Sequence, residues 1–163
     1  MSQPEDWVID SRRFVERRDS IDASLTAELL ERLDDEVVED FAPIAAHVEI
    51  ARSPRGLSGL QVRLDGVVSV ECQRCMSPVE VRLAPRVRFE FVESEAALDA
   101  DDDDRWDPVL HSERLDLLHL LEDELLLALP FAPMHEACRA PADNASGEKV
   151  LPFALLASLK KKA

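Results

Sequence analysis

Glycine, cysteine and basic residues are all scarce in this chain. Four glycines in 163 residues leave little backbone for a phosphate-cradling loop, and neither a nucleophile elbow nor an H-x-x-x-H pair is present. Three cysteines are an odd number and too few for a disulfide framework, which agrees with a reducing compartment. Only 19 Lys and Arg stand against 34 Asp and Glu, a net charge of -15, so a uniformly basic binder of nucleic acid or membrane phosphates is excluded. The opening residues, MSQPEDWVIDSRR, lack the apolar stretch and small-residue cleavage site of a secretory signal. The leucine-rich stretch LDLLHLLEDELLLALP is broken by Glu122, Asp123 and Glu124 and is too short to span a bilayer. A cytoplasmic protein without membrane contact is expected, and the length suits a single domain, 1–163, with a core of ordinary size.

The charge that is present is segregated. From Ala51 to Arg88 there are seven arginines and three acids, a local charge of +4. That arrangement suits either a solvated sheet face or a patch that touches phosphates. Glu93 to Asp107 instead carries eight acids and one arginine, Arg105, and such a run repels itself and is expected to be a mobile loop, with Trp106 anchoring its end.

Hydrophobic periodicity gives the fold. Ile21 to Leu33 opens with Ser24 as a candidate N-cap and sets Leu25, Leu29, Leu30 and Leu33 on one stripe, which predicts a short N-terminal amphipathic helix. From Ile44 the period becomes two: Ile44, Ala46, Val48 and Ile50 alternate with Ala45, His47 and Glu49, so His47 faces outward as a surface residue. Leu60, Val62 and Leu64 alternate likewise, and Asp65-Gly66 predicts a tight turn before Val68, Val70 and Cys72. The alternation resumes with Val79, Val81 and Leu83 and continues through Val87, Phe89 and Phe91, making CQRCMSP a hairpin tip and Pro85 a bend or an edge position. Four antiparallel strands follow, the last one long, as a curled sheet or open barrel. Asp116 to Leu129 predicts a helix capped by Asp116, with Leu117, Leu118, Leu121, Leu125 and Ala128 on the sheet and Pro130 as its stop. The fold class is α+β. Beyond the helix, residues 131–148 read as extended loop, and an apolar segment at 152–160 carries Phe153, Leu155, Leu156 and Leu159 before three lysines.

Cys72 and Cys75 flank the hairpin tip, and His135-x-x-Cys138 repeats the i, i+3 spacing after the helix. Together they suit a Cys₃His tetrahedral zinc site, structural because all four positions are filled. The alternative is a buried core thiol at Cys72, a turn residue at Cys75 and ordinary loop residues at His135 and Cys138. A redox pair fits less well, since such pairs sit at helix N-termini and these cysteines follow a strand. Glu122, Asp123 and Glu124 are consecutive and point to different sides of a helix, which disfavours a shared catalytic face and leaves Asp123 or Glu124 to receive an arginine from the sheet.

VECQRC at Val70–Cys75, LEDELLLALPFAPMH at Leu121–His135 and PFALLASLK at Pro152–Lys160 resemble the YceD family, the large ribosomal RNA subunit accumulation proteins, over roughly Ile44 to the end. The resemblance implies a non-enzymatic factor in synthesis, processing or stability of large-subunit ribosomal RNA. It maps Cys72, Arg74 and Cys75 onto the family's C-x-R-C, and Glu122, Asp123 and Glu124 onto its acidic helix triplet. Some relatives carry further cysteines after the helix, where this chain offers His135 and Cys138. The implied partner is a ribosomal RNA precursor or a large-subunit assembly intermediate, and the +4 segment suggests contact through Arg74, projected beyond the sheet by the hairpin tip, and through Arg82, Arg86 and Arg88 on the outward phase of the sheet. A protein adaptor is the alternative: its apolar C-terminal segment and acidic loop would engage a ribosomal or RNA-processing protein.

Overall fold

The structure, a computed structural model, describes residues 4–98 and 105–140. A 3₁₀ turn at Pro4–Trp7 leads to β1 (Val8–Ile9), α1 (Ser11–Arg17), β2 (Ser20–Leu25), α2 (Glu31–Asp34), β3 (Ile44–Arg52), β4 (Ser58–Glu71), β5 (Pro78–Leu83), β6 (Arg86–Val92), a second 3₁₀ turn at Glu95–Ala97, β7 (Asp107–Leu110), β8 (Leu115–Asp116) and α3 (Leu117–Ala128). The class is α+β, and the six-stranded sheet is open, in the order β2-β3-β4-β6-β7 with β5 also on β4. All its pairings are antiparallel except β6 with β7. β1 and β8 form a separate two-stranded ribbon.

β4 does not turn at Asp65-Gly66. It runs 14 residues straight through them, paired with β3 and β6 along its first half and with β5 along its second. The reason lies in the phase of the side chains. A two-residue turn at 65–66 would put Leu64 and Val68 on opposite faces, yet Leu64, Val68 and Val70 are all buried while Val67 is exposed. Gly66 serves packing instead, for a Cβ there would stand 2.7 Å from the Ile44 side chain. β5 and β6 follow β4 in one register across Pro85, whose carbonyl still accepts from the Leu64 N–H at 3.1 Å. They amount to one long strand with a proline interruption, as the alternation suggests.

The segment 21–33 departs from the single helix its stripe predicts. Ser20–Leu25 is an edge strand on β3, with Ile21 opposite Val48 and Leu25 opposite Ile44, and only Glu31–Asp34 is helical. Leu25, Leu29, Leu30 and Leu33 are nonetheless all buried. Their spacing encodes burial, and the unpaired edge of β3 decides the conformation, because its N–H and C=O groups need partners. A short helix does stand near the N-terminus: α1, capped by the Asp10 side chain on the N–H groups of Arg12 and Arg13.

The core lies between one sheet face and the helices. Ile44, Val48, Leu60, Val62 and Phe89 from the sheet meet Leu117, Leu121 and Leu125 from α3, with Trp7, Phe14 and Leu33 closing the margin. Asp116 caps α3 by accepting from the His119 N–H at 3.0 Å, and the helix ends at an extended Leu129 before Pro130. Glu122 is buried, and one carboxylate oxygen accepts from the N–H groups of Arg32 at 2.8 Å and Leu33 at 3.2 Å. It thereby caps α2, which has no side-chain cap of its own. The arginine that reaches the acidic triplet is Arg32 of α2, donating to Asp123 at 2.6 Å, rather than one from the sheet. No helix among the described residues is long and apolar enough to cross a membrane.

Two outcomes are expected. Leu121→Ala should destabilise the protein by about 2–5 kcal/mol in denaturant titrations, the cost of emptying a fully buried leucine site. On β3, the Asp22 hydrogen bond to His47 at 2.7 Å raises the pKa of that imidazole above its ordinary 6.5. The extra β2–β3 tether is therefore present below that value and lost as pH rises through the raised one. Amide exchange in β2 should accelerate across this window more in the native chain than in His47→Gln.

Candidate functional site

Two constellations stand at different places on the β4–β5/β6 hairpin. The first is its tip. β4 delivers Cys72 to the end of the core, fully buried, and the chain turns through Met76, a non-glycine residue at φ 58°, before β5 begins. The Met76 N–H donates to the Cys72 carbonyl at 2.9 Å and the Cys72 N–H to the Ser77 carbonyl at 3.0 Å, so the tip is closed by its own backbone. Beyond α3, Pro130 and Pro133 send the chain back across this tip, where the Gln73 N–H donates to the Pro133 carbonyl at 2.9 Å.

That return brings Cys72, Cys75, His135 and Cys138 together, with their four ligand atoms all within 4.8 Å of one another. Cys72 Sγ lies 3.8 Å from Cys138 Sγ, and Cys75 Sγ lies 3.4 Å from His135 Nδ1. Thiolates at about 2.3 Å and an imidazole at about 2.0–2.1 Å from one tetrahedral centre would stand about 3.8 Å apart sulfur to sulfur and about 3.6 Å sulfur to nitrogen. Both observed separations fit that geometry, and three thiols with one imidazole form a donor set soft enough for zinc.

The four groups also shift one another's titration. Burial pushes the Cys72 thiol up, but the N–H groups of Cys75, Arg74 and His135 and the His135 ring outweigh it, holding the pKa down to about 5. The Ser77 N–H lowers Cys75, against burial, and the Cys72 and Cys75 sulfurs raise His135 by accepting from it. Burial, then the neighbouring sulfurs, raise Cys138. Cys72 and Cys75 are thereby drawn toward the thiolate, while Cys138 is held toward the thiol and His135 toward the protonated ring.

The second constellation is an arginine groove on the outward sheet face, a hollow of about 520 Å³ lined by Gln61, Arg63, Arg86, Arg88, Arg105 and Asp107. Arg63 of β4 and Arg86 of β6 are directly opposed cross-strand partners, as are Gln61 and Arg88. Like charges directly opposite cost stability, and Glu49 offsets part of this by accepting from Arg63 at 3.1 Å. The Arg88 guanidinium lies over the Trp106 ring, 5.9 Å from its centroid.

The four arginines singled out from the sequence fall in three places. Arg86 and Arg88 line the groove. Arg82 is bound to Asp65 at 2.7 Å and lies in an adjoining hollow of about 580 Å³ that shares Arg63 and Arg86. Arg74 reaches back over the knuckle, donating to the Cys138 carbonyl at 3.4 Å and to the Met134 sulfur at 3.5 Å. Arg63 and Arg105 were not singled out. Arg63 was visible on the polar phase of Leu60, Val62 and Leu64, and Arg105 as the one base in an acidic run. Of the remaining expectations, the apolar segment 152–160 and the centre of the acidic run, 99–104, lie outside the described residues.

Comparison with known proteins gives the family of the chain. The family described as "Large ribosomal RNA subunit accumulation protein YceD" matches residues 60–160. A protein of that name from Haemophilus influenzae (strain ATCC 51907 / DSM 11121 / KW20 / Rd) is 32% identical over 169 residues, covering 94% of this chain and 95% of its own length. No solved structure matches the chain. The chain belongs to the YceD family.

Proposed function

We propose that this YceD-family chain is a non-enzymatic, cytoplasmic factor that supports accumulation of large-subunit ribosomal RNA. It acts as a single domain by holding an RNA precursor or assembly intermediate in its arginine groove. The observation that carries the RNA contact is the opposed pair Arg63 and Arg86 with Arg88 and Arg105 beside them, four guanidinium groups around one hollow in a chain of net charge -15. Guanidinium groups recognise phosphate through paired hydrogen bonds and stack on exposed bases. The surrounding negative charge repels indiscriminate polyanion binding, so only a ligand that reaches the groove is held. Arg82 extends the surface, and Arg74 steadies the knuckle.

The Cys₃His cluster is the proposed structural zinc site. Cys72, Cys75, His135 and Cys138 would hold the ion, fastening the loop after α3 to the hairpin tip. With every position taken by protein, the ion supplies cross-linking rather than an open position for chemistry.

A protein partner is favoured by a different observation. Phe131 and Leu127 are exposed at the end of α3, and Met134 and Met76 are exposed beside the knuckle. An adaptor working through such a surface would bind with little salt dependence, whereas phosphate contacts weaken steeply as salt rises.

For the metal, the expected outcome is a single zinc per chain by native mass spectrometry. Cobalt substitution should give the charge-transfer absorption of a tetrahedral thiolate site, and both Cys75→Ser and chelation should lower the melting temperature. A chain purified without metal and indifferent to zinc and chelator would remove this part of the proposal. For the groove, Arg63→Gln, Arg86→Gln and Arg88→Gln combined, with folding checked by circular dichroism, should fail to restore the ratio of large- to small-subunit ribosomal RNA in a deletion strain. Full restoration would overturn the groove reading and leave the apolar surface near Phe131.

A further inference from the structure

Trp106 is one of two tryptophans in the chain; the other, Trp7, is fully buried in the core. Trp106 remains partly exposed, and it sits between Arg105 and Asp107, both of which line the arginine groove. β7 starts at Asp107, opposite Phe89 of β6, so the parallel pairing carries the indole just before it to the sheet beside Arg88. The Arg88 guanidinium over its ring restricts the indole in advance of any ligand. An aromatic ring held by a guanidinium at the margin of a basic hollow is the arrangement that stacks unpaired bases while neighbouring cations track the backbone.

The size and placement of the hollow favour the same ligand. Its volume, about 520 Å³, lies within the range of pockets that enclose a small organic group, and a base can enter such a hollow only when it is out of a helix. Duplex RNA keeps its bases stacked and offers phosphates and 2′-hydroxyls, which would engage the arginines but leave the indole without a role. Gln61, opposite Arg88, adds an amide at the groove wall, with its Nε2 donating to Glu49 at 3.0 Å.

Resting on the groove reading above, we infer that the ligand is single-stranded RNA, and that Trp106 stacks one unpaired base while Arg63, Arg86 and Arg88 hold the flanking phosphates. Specificity then lies in strandedness more than in sequence, because every base offers a π face.

The test uses the full chain as purified and two fluorescein-labelled probes, an unstructured A/U-rich RNA of about ten nucleotides and a duplex of similar length. Anisotropy should show the single strand bound at least about tenfold more tightly than the duplex. Trp106→Ala should weaken single-strand binding about tenfold, in the range seen when one stacking partner is removed, and leave duplex binding unchanged. Trp106→Phe should keep most of the affinity, and the tryptophan emission that this variant loses should be the part quenched by the single strand. With at most four phosphates neutralised, the slope of log affinity against log salt should be no steeper than about -3 for the single strand.

Equal binding of both probes, lost in the arginine triple variant but untouched by Trp106→Ala, would overturn the single-strand inference and leave the groove reading standing. Binding of neither probe by the native chain would overturn both, and a salt-insensitive protein partner would take their place.

Discussion

β4 is paired on both sides along its first half and on one side along its second, and Pro85 is where that ladder is weakest. Proline brings no N–H, so one cross-strand bond is missing, at a cost of about 0.5–1.5 kcal/mol. Because Leu64 still donates to the Pro85 carbonyl, the register survives the interruption. A slip of one residue would reverse every side chain beyond it. Leu83 and Phe89 would leave the core, while Arg86 and Arg88 would enter it. The position of Cys72 at the tip and the facing of Arg63 with Arg86 are thus two consequences of one register.

This dependence explains which parts of the molecule could be read from the sequence. Strands 44–50, 78–83 and 86–92, the capped helix at 116–129 and the cysteine tip were legible because each carries its own periodicity, cap or spacing. The same holds for the Cys72, Cys75, His135 and Cys138 set, whose two i, i+3 pairs are local signals. Whether the pairs meet depends on the chain returning after Pro130, and no spacing encodes that. Asp65-Gly66 misled because turn chemistry is local evidence, and here it yielded to a phase that stays even-numbered from Leu60 to Cys72. That error also concealed Arg63. With a turn at 65–66, Arg63 has no reason to stand opposite Arg86. Arg105 was hidden differently, since the parallel pairing of β7 with β6 leaves no trace in a four-residue strand that follows an acidic run.

The leucines of 25–33 show the limit from the other side. Four buried leucines at i, i+4, i+5 and i+8 satisfy a helix, and they equally satisfy a strand end, a turn and one helical turn facing the same core. Hydrophobic spacing reports which side chains leave water, a non-directional quantity. Backbone conformation was settled by hydrogen-bond demand along β3 and by Glu122, one of whose carboxylate oxygens, from another helix, accepts from two N–H groups at the α2 N-terminus. A glutamate at the inner face of α3 is therefore no catalytic candidate wasted in a core; it is the reason a four-residue helix can begin where it does.

The two constellations differ in what they can do chemically. At the tip, four donors point at one centre, and an ion placed there would have no position left for a substrate or an activated water. Its effect would be mechanical, tying residues 133–138 to 72–77. The groove is built the opposite way, with positive groups side by side and Glu49 and Asp107 among the acids near them. Guanidinium groups remain charged at any physiological pH and do not shuttle protons, so what they contribute is attraction and hydrogen-bond geometry. Arg74 links the two regions in sequence but not in role. It lies between Cys72 and Cys75, and its donors face Cys138 and Met134. An arginine between two cysteines thus belongs to the closure of the hairpin tip, and in the proposed reading contact with RNA falls to the groove arginines further down the hairpin.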